Sequence, residues 1–130
     1  MENPEAMEEL GRQVKLALES ADLGAYRDLL DPNVRWGPPG SSSPPCQNRD
    51  QVLAWYQRGR EAGTTATVSE VTVVKDHLLV GLVVRDVKES HPERDQSLRW
   101  QLLTVRDGRV CDIVGFESRE DAEAYNAAAR

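Results

Sequence analysis

The hydrophobic period of this chain changes once, and that change limits what it can fold into. Up to Gly63 apolar residues recur every three or four positions, and from Thr64 onward they alternate. Spacing of three and four makes a stripe along a helix, whereas alternation puts every second side chain on one face of a strand. Helices therefore come first and strands after. Four alternating runs, at 67–75, 77–86, 96–106 and 109–116, predict a meander. The polar segment 88–95, with His91-Pro92, joins the middle pair and should be solvated. Asp107-Gly108 stands between the last two runs as a strong type I′ hairpin signal, because that turn needs two positions with positive φ. The result is an α+β architecture, and with no repeat or linker the whole of 1–130 reads as a single domain.

The helices announce their own ends. Asn3 is a good N-cap, with Pro4 in the first helical position and Glu5 at the positive end of the helix. Leu10, Val14, Ala17, Leu18 and Ala21 form its buried stripe. Asp22 caps a short helix bearing Leu23, Tyr26 and Leu30, which Asp31-Pro32 ends. Val34-Arg35-Trp36 is a short strand, and a loop rich in Pro, Gly and Ser follows. Asn48 with Gln51 resembles a capping box for a third helix, which Gly63 stops. Ser118 with Asp121 opens a last, alanine-rich helix.

Composition excludes several classes of function. A net charge of −6 with scattered Lys and Arg argues against a nucleic-acid partner. No apolar run is long enough for a bilayer and the first residues are acidic, so a soluble, cytoplasmic protein is expected. Cys46 and Cys111 are too few for a disulfide framework. Without clustered His they make no metal set, so no metal or other cofactor is expected.

Counting back from Asp107-Gly108 pairs Arg106 with Arg109, Thr104 with Cys111, Leu102 with Ile113 and Trp100 with Gly115. Opposed residues share a face. One face then carries Leu98, Trp100, Leu102, Thr104, Cys111, Ile113 and Gly115; it is nearly free of charge and should meet the helices. The indole of Trp100 would lie over the space left by Gly115. The other face, with Arg99, Gln101, Leu103, Val105, Val114 and Phe116, has enough apolar surface to favour a twofold homodimer, with Asp112 also turned outward. A two-residue turn at Lys75-Asp76 would put Val71, Val73, Leu78, Val80, Leu82 and Val84 on the apolar side of the first hairpin. Glu70, Thr72, His77, Leu79 and Arg85 would share the other side. A Glu, a His and an Arg could serve acid–base chemistry, and the same mixture is what the solvated side of an antiparallel strand carries.

The segments SADLGAYRDLLDPNVRW, NRDQVLAWY, VRDGRVCDIVGF and SREDAEAY resemble the nuclear transport factor 2-like superfamily, in its SnoaL-like branch. The resemblance implies a strongly curved, mostly antiparallel sheet wrapped around the helices as a cone, an apolar pocket inside it and dimers through the outer sheet face. Its known activities range from epoxide hydrolysis to polyketide ring closure and steroid isomerisation, so the fold does not choose among them.

Matching positions argue against two of these chemistries. Where limonene-type epoxide hydrolases hold the attacking water with Tyr and Asn, this chain has Val34 and Trp36. Their basic Asp falls at Gly115, and Arg85-Asp86 are adjacent rather than two apart. The oxyanion-holding Tyr of steroid isomerases meets a stripe of Leu10, Val14 and Leu18, and Trp36 stands near the position of the base.

A pocket lined by Trp36, Val52, Tyr56, Trp100, Leu102 and Ile113 is expected, holding a small hydrophobic, cyclic molecule, with Trp55 pointing elsewhere. Trp36 and Trp100 fit a pocket wall and a plain core equally well, and Tyr56 fits a ligand donor or a phenol reaching solvent. A non-catalytic dimerisation or binding module with a filled cone is the alternative. A metal-independent lyase, isomerase or cyclase is the third reading, with Tyr56, His77 and Arg85 as its candidate groups and Glu70 as a further acid–base partner.

Overall fold

The computed structural model describes residues 3–20, 22–39, 44–86 and 96–128. The expected segment 88–95 with His91, and Ala21, fall outside them. Among the described residues there are four helices and five strands, in the order α1 (Pro4–Ser20), α2 (Leu23–Leu29), β1 (Leu30–Gly37), α3 (Arg49–Glu61), β2 (Thr64–Val74), β3 (His77–Asp86), β4 (Gln96–Arg106), β5 (Arg109–Phe116) and α4 (Arg119–Ala128). The period change at Thr64 is thus the start of β2. The caps are where the side chains call for them. Backbone N–H groups donate to Asn3 Oδ1 at 2.8 Å, Asp22 Oδ1 at 3.0 Å, Asn48 Oδ1 at 2.9 Å and Ser118 Oγ at 3.1 Å. Gly63 ends α3 at φ +92°, and Asp107 and Gly108 take φ +53° and +77°, as a type I′ turn requires.

The sheet runs β1-β5-β4-β3-β2. All neighbours are antiparallel except β1 with β5, whose parallel register puts Trp36 opposite Ile113 and Arg35 opposite Asp112. The short helix stops at Leu29 and the strand begins at once with Leu30, so β1 is longer than 34–36 and carries Pro32.

The β2–β3 hairpin has the expected register near Lys75-Asp76, then slips by one at Ser69, so that Val68 rather than Ser69 faces Leu82. Beside the slip, the Val68 N–H donates to Glu19 Oε2 of α1 at 3.2 Å.

A second slip corrects the expected faces of β4. Thr104 pairs with Asp112 and Val105 with Val110, which leaves Cys111 as the extra residue of a bulge. From there Leu103 faces Ile113, Gln101 faces Gly115 and Trp100 faces Phe116. Ile113 and Gly115 do turn toward the helices, but Leu103, Val105 and Gln101 join them, while Trp100, Leu102 and Thr104 go to the opposite side. Packing explains why this register wins. It gathers Leu103, Val105, Val110 and Ile113, all at most 4% exposed, into one core with Leu78, Val80, Val34 and the stripe Met7, Leu10, Val14 and Ala17 of α1. The outer face keeps a smaller cluster of Leu79, Leu102, Val114 and Phe116, covered by Ala122 of α4. Of the surface expected to pair two copies, Gln101, Leu103 and Val105 turn into the interior, Val114 and Phe116 remain on the outer face, and Arg99 is exposed.

The glycines confirm the arrangement. A Cβ at Gly81 would stand 2.7 Å from the ring of Trp100, whereas one at Gly115 would meet nothing nearer than Trp36 Nε1 at 3.8 Å. Trp100 lies over Gly81 on the outer face, and it is Trp36 that lies near Gly115.

Candidate functional site

An open cleft of about 1490 Å³ enters the molecule between the end of β1, α3 and the ends of β2 to β5. Its inner wall is aromatic. Trp36 comes off β1 and Tyr56 off α3, and their rings stack at 5.3 Å with 7° between planes. Tyr26 of α2 meets the edge of Tyr56 at 5.4 Å, and Trp55 meets Trp36 edge-on at 4.3 Å. Trp55, expected to point elsewhere, thus adds its half-exposed ring to the rim. The strand after Trp36 cannot drift away from this wall. Cys46, at the far end of the Pro/Ser loop, pairs with Trp36 through N–H to carbonyl bonds of 2.9 and 3.2 Å.

The polar groups of this wall are few. Gln101 of β4 is 5% exposed, and its Nε2 donates to the Tyr56 hydroxyl at 3.3 Å. Burial raises the Tyr56 phenol above its ordinary value, opposed by that hydrogen bond, and burial holds Tyr26 well above it. Both phenols are therefore neutral near pH 7, and Tyr56 accepts the hydrogen bond from Gln101. Cys46 and Cys111 are free thiols, each raised by burial, so neither is an activated nucleophile. The carboxylates along the cleft, Glu19, Glu117 and Asp121, are all exposed at its rim.

The expected lining residues divide. Trp36 and Tyr56 form the wall. Val52 and Ile113, both fully buried, lie in the core rather than along the cleft. Leu102 is on the outer face under α4. Trp100 is also on that face and reaches the cleft only at its far rim, beside Tyr125. The candidate acid–base set is not assembled at Tyr56. His77 is on the outer face, in a row with Thr104, Asp112 and Arg35, and Arg85 is exposed toward the end of β3. Glu70 is held by Arg119 of α4, through Nη2 at 2.7 Å and Nε at 3.2 and 3.3 Å. Burial raises the Asp112 carboxyl, and Arg35 and His77 oppose the rise. Among the described residues no group of three His, Cys, Asp or Glu side chains could hold a metal ion, and no helix is long and apolar enough to cross a membrane.

One member of the wall, Gln101, and the core phenol packed behind it, Tyr26, were missed by sequence reasoning. Tyr26 was legible only as part of a helical stripe. Gln101 was assigned outward because the bulge at Cys111 leaves no mark in an alternating pattern.

The model of the SnoaL-like domain matches residues 11–113. Among solved structures, the chain is similar to a candidate ketosteroid isomerase from Kribbella flavida, with 20% identity over 88% of this chain and 79% of that one and a TM-score of 0.71. It is similar to Bal32a from a soil-derived mobile gene cassette, with 22% identity over 86% and 88% and a TM-score of 0.70. A candidate polyketide cyclase from Xanthomonas campestris pv. campestris gives 13% identity over 95% and 98% and a TM-score of 0.69. At these identities the likeness is one of fold. The comparison with curated proteins found no match.

Proposed function

This chain belongs to the SnoaL-like domain family of the nuclear transport factor 2-like superfamily, and we propose that it binds a small hydrophobic, cyclic molecule in the cleft beside Trp36 and Tyr56. The observation that carries this reading is the half-buried Gln101–Tyr56 hydrogen bond on the aromatic inner wall of the cleft. Pockets for small molecules are built this way, with apolar burial for affinity and a few polar groups for orientation. A cone that served only as a packing module would be more stable with a leucine in place of a buried amide, because an incompletely paired amide is costly in an apolar site.

The same geometry supports binding over proton transfer. The wall offers neutral phenols and an amide, and the carboxylates that could act as a base stand exposed at the rim. The names of the Kribbella and Xanthomonas structures suggest ring-shaped ligands, which suits a stacked indole and phenol.

Displacement of an apolar fluorescent dye by ring compounds tests the reading. The wild type should bind the dye, and Gly115→Leu should lose it while keeping its circular dichroism, since the larger side chain projects toward Trp36. Tyr56→Phe should fold normally and weaken ligands that accept a hydrogen bond. A wild type that binds neither dye nor ring compounds would leave the packing module as the better account. We also propose pairing of two copies through the part of the outer face near Leu98, which is 57% exposed. A persistent monomer in sedimentation at micromolar concentration would remove that part.

A further inference from the structure

The amide of Gln101 is only half used. Its Nε2 donates to Tyr56, while Oε1 is buried without a hydrogen-bond partner in the protein. The hydroxyl of Tyr26, buried on the other side of Tyr56, has no partner either. Buried polar atoms are rarely left this way in structural positions, because an unmet acceptor loses its water and regains nothing. Since the Tyr56 oxygen already accepts from Gln101, its own proton is directed to another acceptor. Beside the Trp36–Tyr56 stack there are thus an unmet acceptor, Oε1, and the Tyr56 hydroxyl, joined through one amide; Oε1 has almost no exposed surface in the free chain, so a ligand meets it through a small turn of that amide.

Resting on the binding reading above, we infer that Gln101 is the specificity-determining residue of the cleft and selects a ring compound that carries its own hydrogen-bond donor, such as a phenol or a ring alcohol. Hydrocarbon, ether and alcohol of one ring size bury similar apolar area against the stack. Of the three, only the alcohol can donate to Gln101 Oε1, and it can accept from Tyr56 with the same oxygen. An ether accepts but leaves Oε1 as unmet as it is in the free protein.

The test uses naphthalene, 2-methoxynaphthalene and 2-naphthol with the full chain, by isothermal titration calorimetry. 2-Naphthol should bind about tenfold tighter than the methoxy compound, the size of effect expected for one buried acceptor satisfied or left bare. Gln101→Met, close in shape and apolar, should bring that ratio near one. Equal affinities of the wild type for 2-naphthol and its methyl ether would overturn the inference and leave the binding reading intact. Failure of all three to bind the wild type would overturn both. Should Gln101→Met not fold, the wild-type ratio decides alone.

Discussion

On the inner face of the sheet Gln101, Tyr56 and Tyr26 are buried or half-buried and incompletely partnered, whereas on the outer face Glu70, Thr72, Arg119 and Glu123 are more exposed and tied to one another. Gln101, Tyr56 and Tyr26 make one hydrogen bond among their side chains and leave two polar atoms bare. Outside, Glu70 accepts from Arg119 and from the Thr72 hydroxyl, Arg119 also pairs with Glu123, and its guanidinium lies 6.0 Å from the centre of the Trp100 ring. Asp112 sits opposite Arg35 in the adjoining row. A satisfied network needs no further partner and reads as structure. An unsatisfied one in a cleft calls for something that the chain does not supply, which is why we propose the inner face as the binding site.

The largest effect should separate the two faces by packing. Leu103 is fully buried in the main core and Leu102 is 3% exposed beneath α4. Leu103→Ala should cost about 4 kcal/mol and Leu102→Ala about 2 kcal/mol, toward the upper and lower ends of the usual range for a buried leucine. The difference follows from relaxation: a helix held by few residues can settle onto a smaller side chain, and the interior of a sheet-and-helix core cannot. Urea unfolding of the two variants reads it directly. Equal costs would mean that α4 is packed as firmly as the core.

A second pair tests which tryptophan covers which glycine. Gly81→Ala puts a methyl group 2.7 Å from both the Trp100 ring and Ser69 Oγ, so it should destabilise by about 1–3 kcal/mol, as overpacking does. Gly115→Ala meets only ordinary contact at 3.8 Å and should change stability by less than about 1 kcal/mol, in either direction. The reversed order would restore the regular register, with Trp100 over Gly115, and would remove Gln101 from the cleft.

That register is also where legibility in the sequence ended. The type I′ turn at Asp107-Gly108, the four caps and the period change at Thr64 are local events, written in residue types within a few positions of one another. They appear as read. The bulge at Cys111 is not local in that sense. It is chosen because Leu103, Val105, Val110 and Ile113 bury together, and a pattern that alternates on both sides of the slip looks the same with or without it. One extra residue turned Gln101 from a surface residue into a wall of the site and moved Trp100 and Leu102 off it. Trp36 and Tyr56 were expected together because the family resemblance sets the first strand and the third helix side by side at the mouth of the cone, and their rings do stack. Tyr26 needed the third dimension, since only the packing of α2 against α3 brings its ring to Tyr56.

The smallest effect concerns the outer network and has a definite pH signature. Glu70 is lowered below its ordinary value first by the Arg119 hydrogen bonds and then by Thr72. A carboxylate with a depressed folded pKa adds stability that is fully present above its unfolded pKa, about 4.3, and is lost as pH falls through the folded value. The Arg119 side chain is 42% exposed and that of Glu70 29%, so water and salt screen the pair and its contribution should be no more than about 1 kcal/mol. Glu70→Gln keeps the shape and the contact with Thr72 but removes the charge. Wild type and variant should therefore differ by a few tenths of a kcal/mol to about 1 kcal/mol near pH 7, and the gap should narrow as pH falls below the unfolded value toward the depressed folded one and shrink in high salt. Urea midpoints at pH 7, 5 and 3 measure it. A gap undiminished at pH 3 would show that Glu70 holds α4 by packing rather than by charge. The outer face would then differ from the inner one in exposure alone.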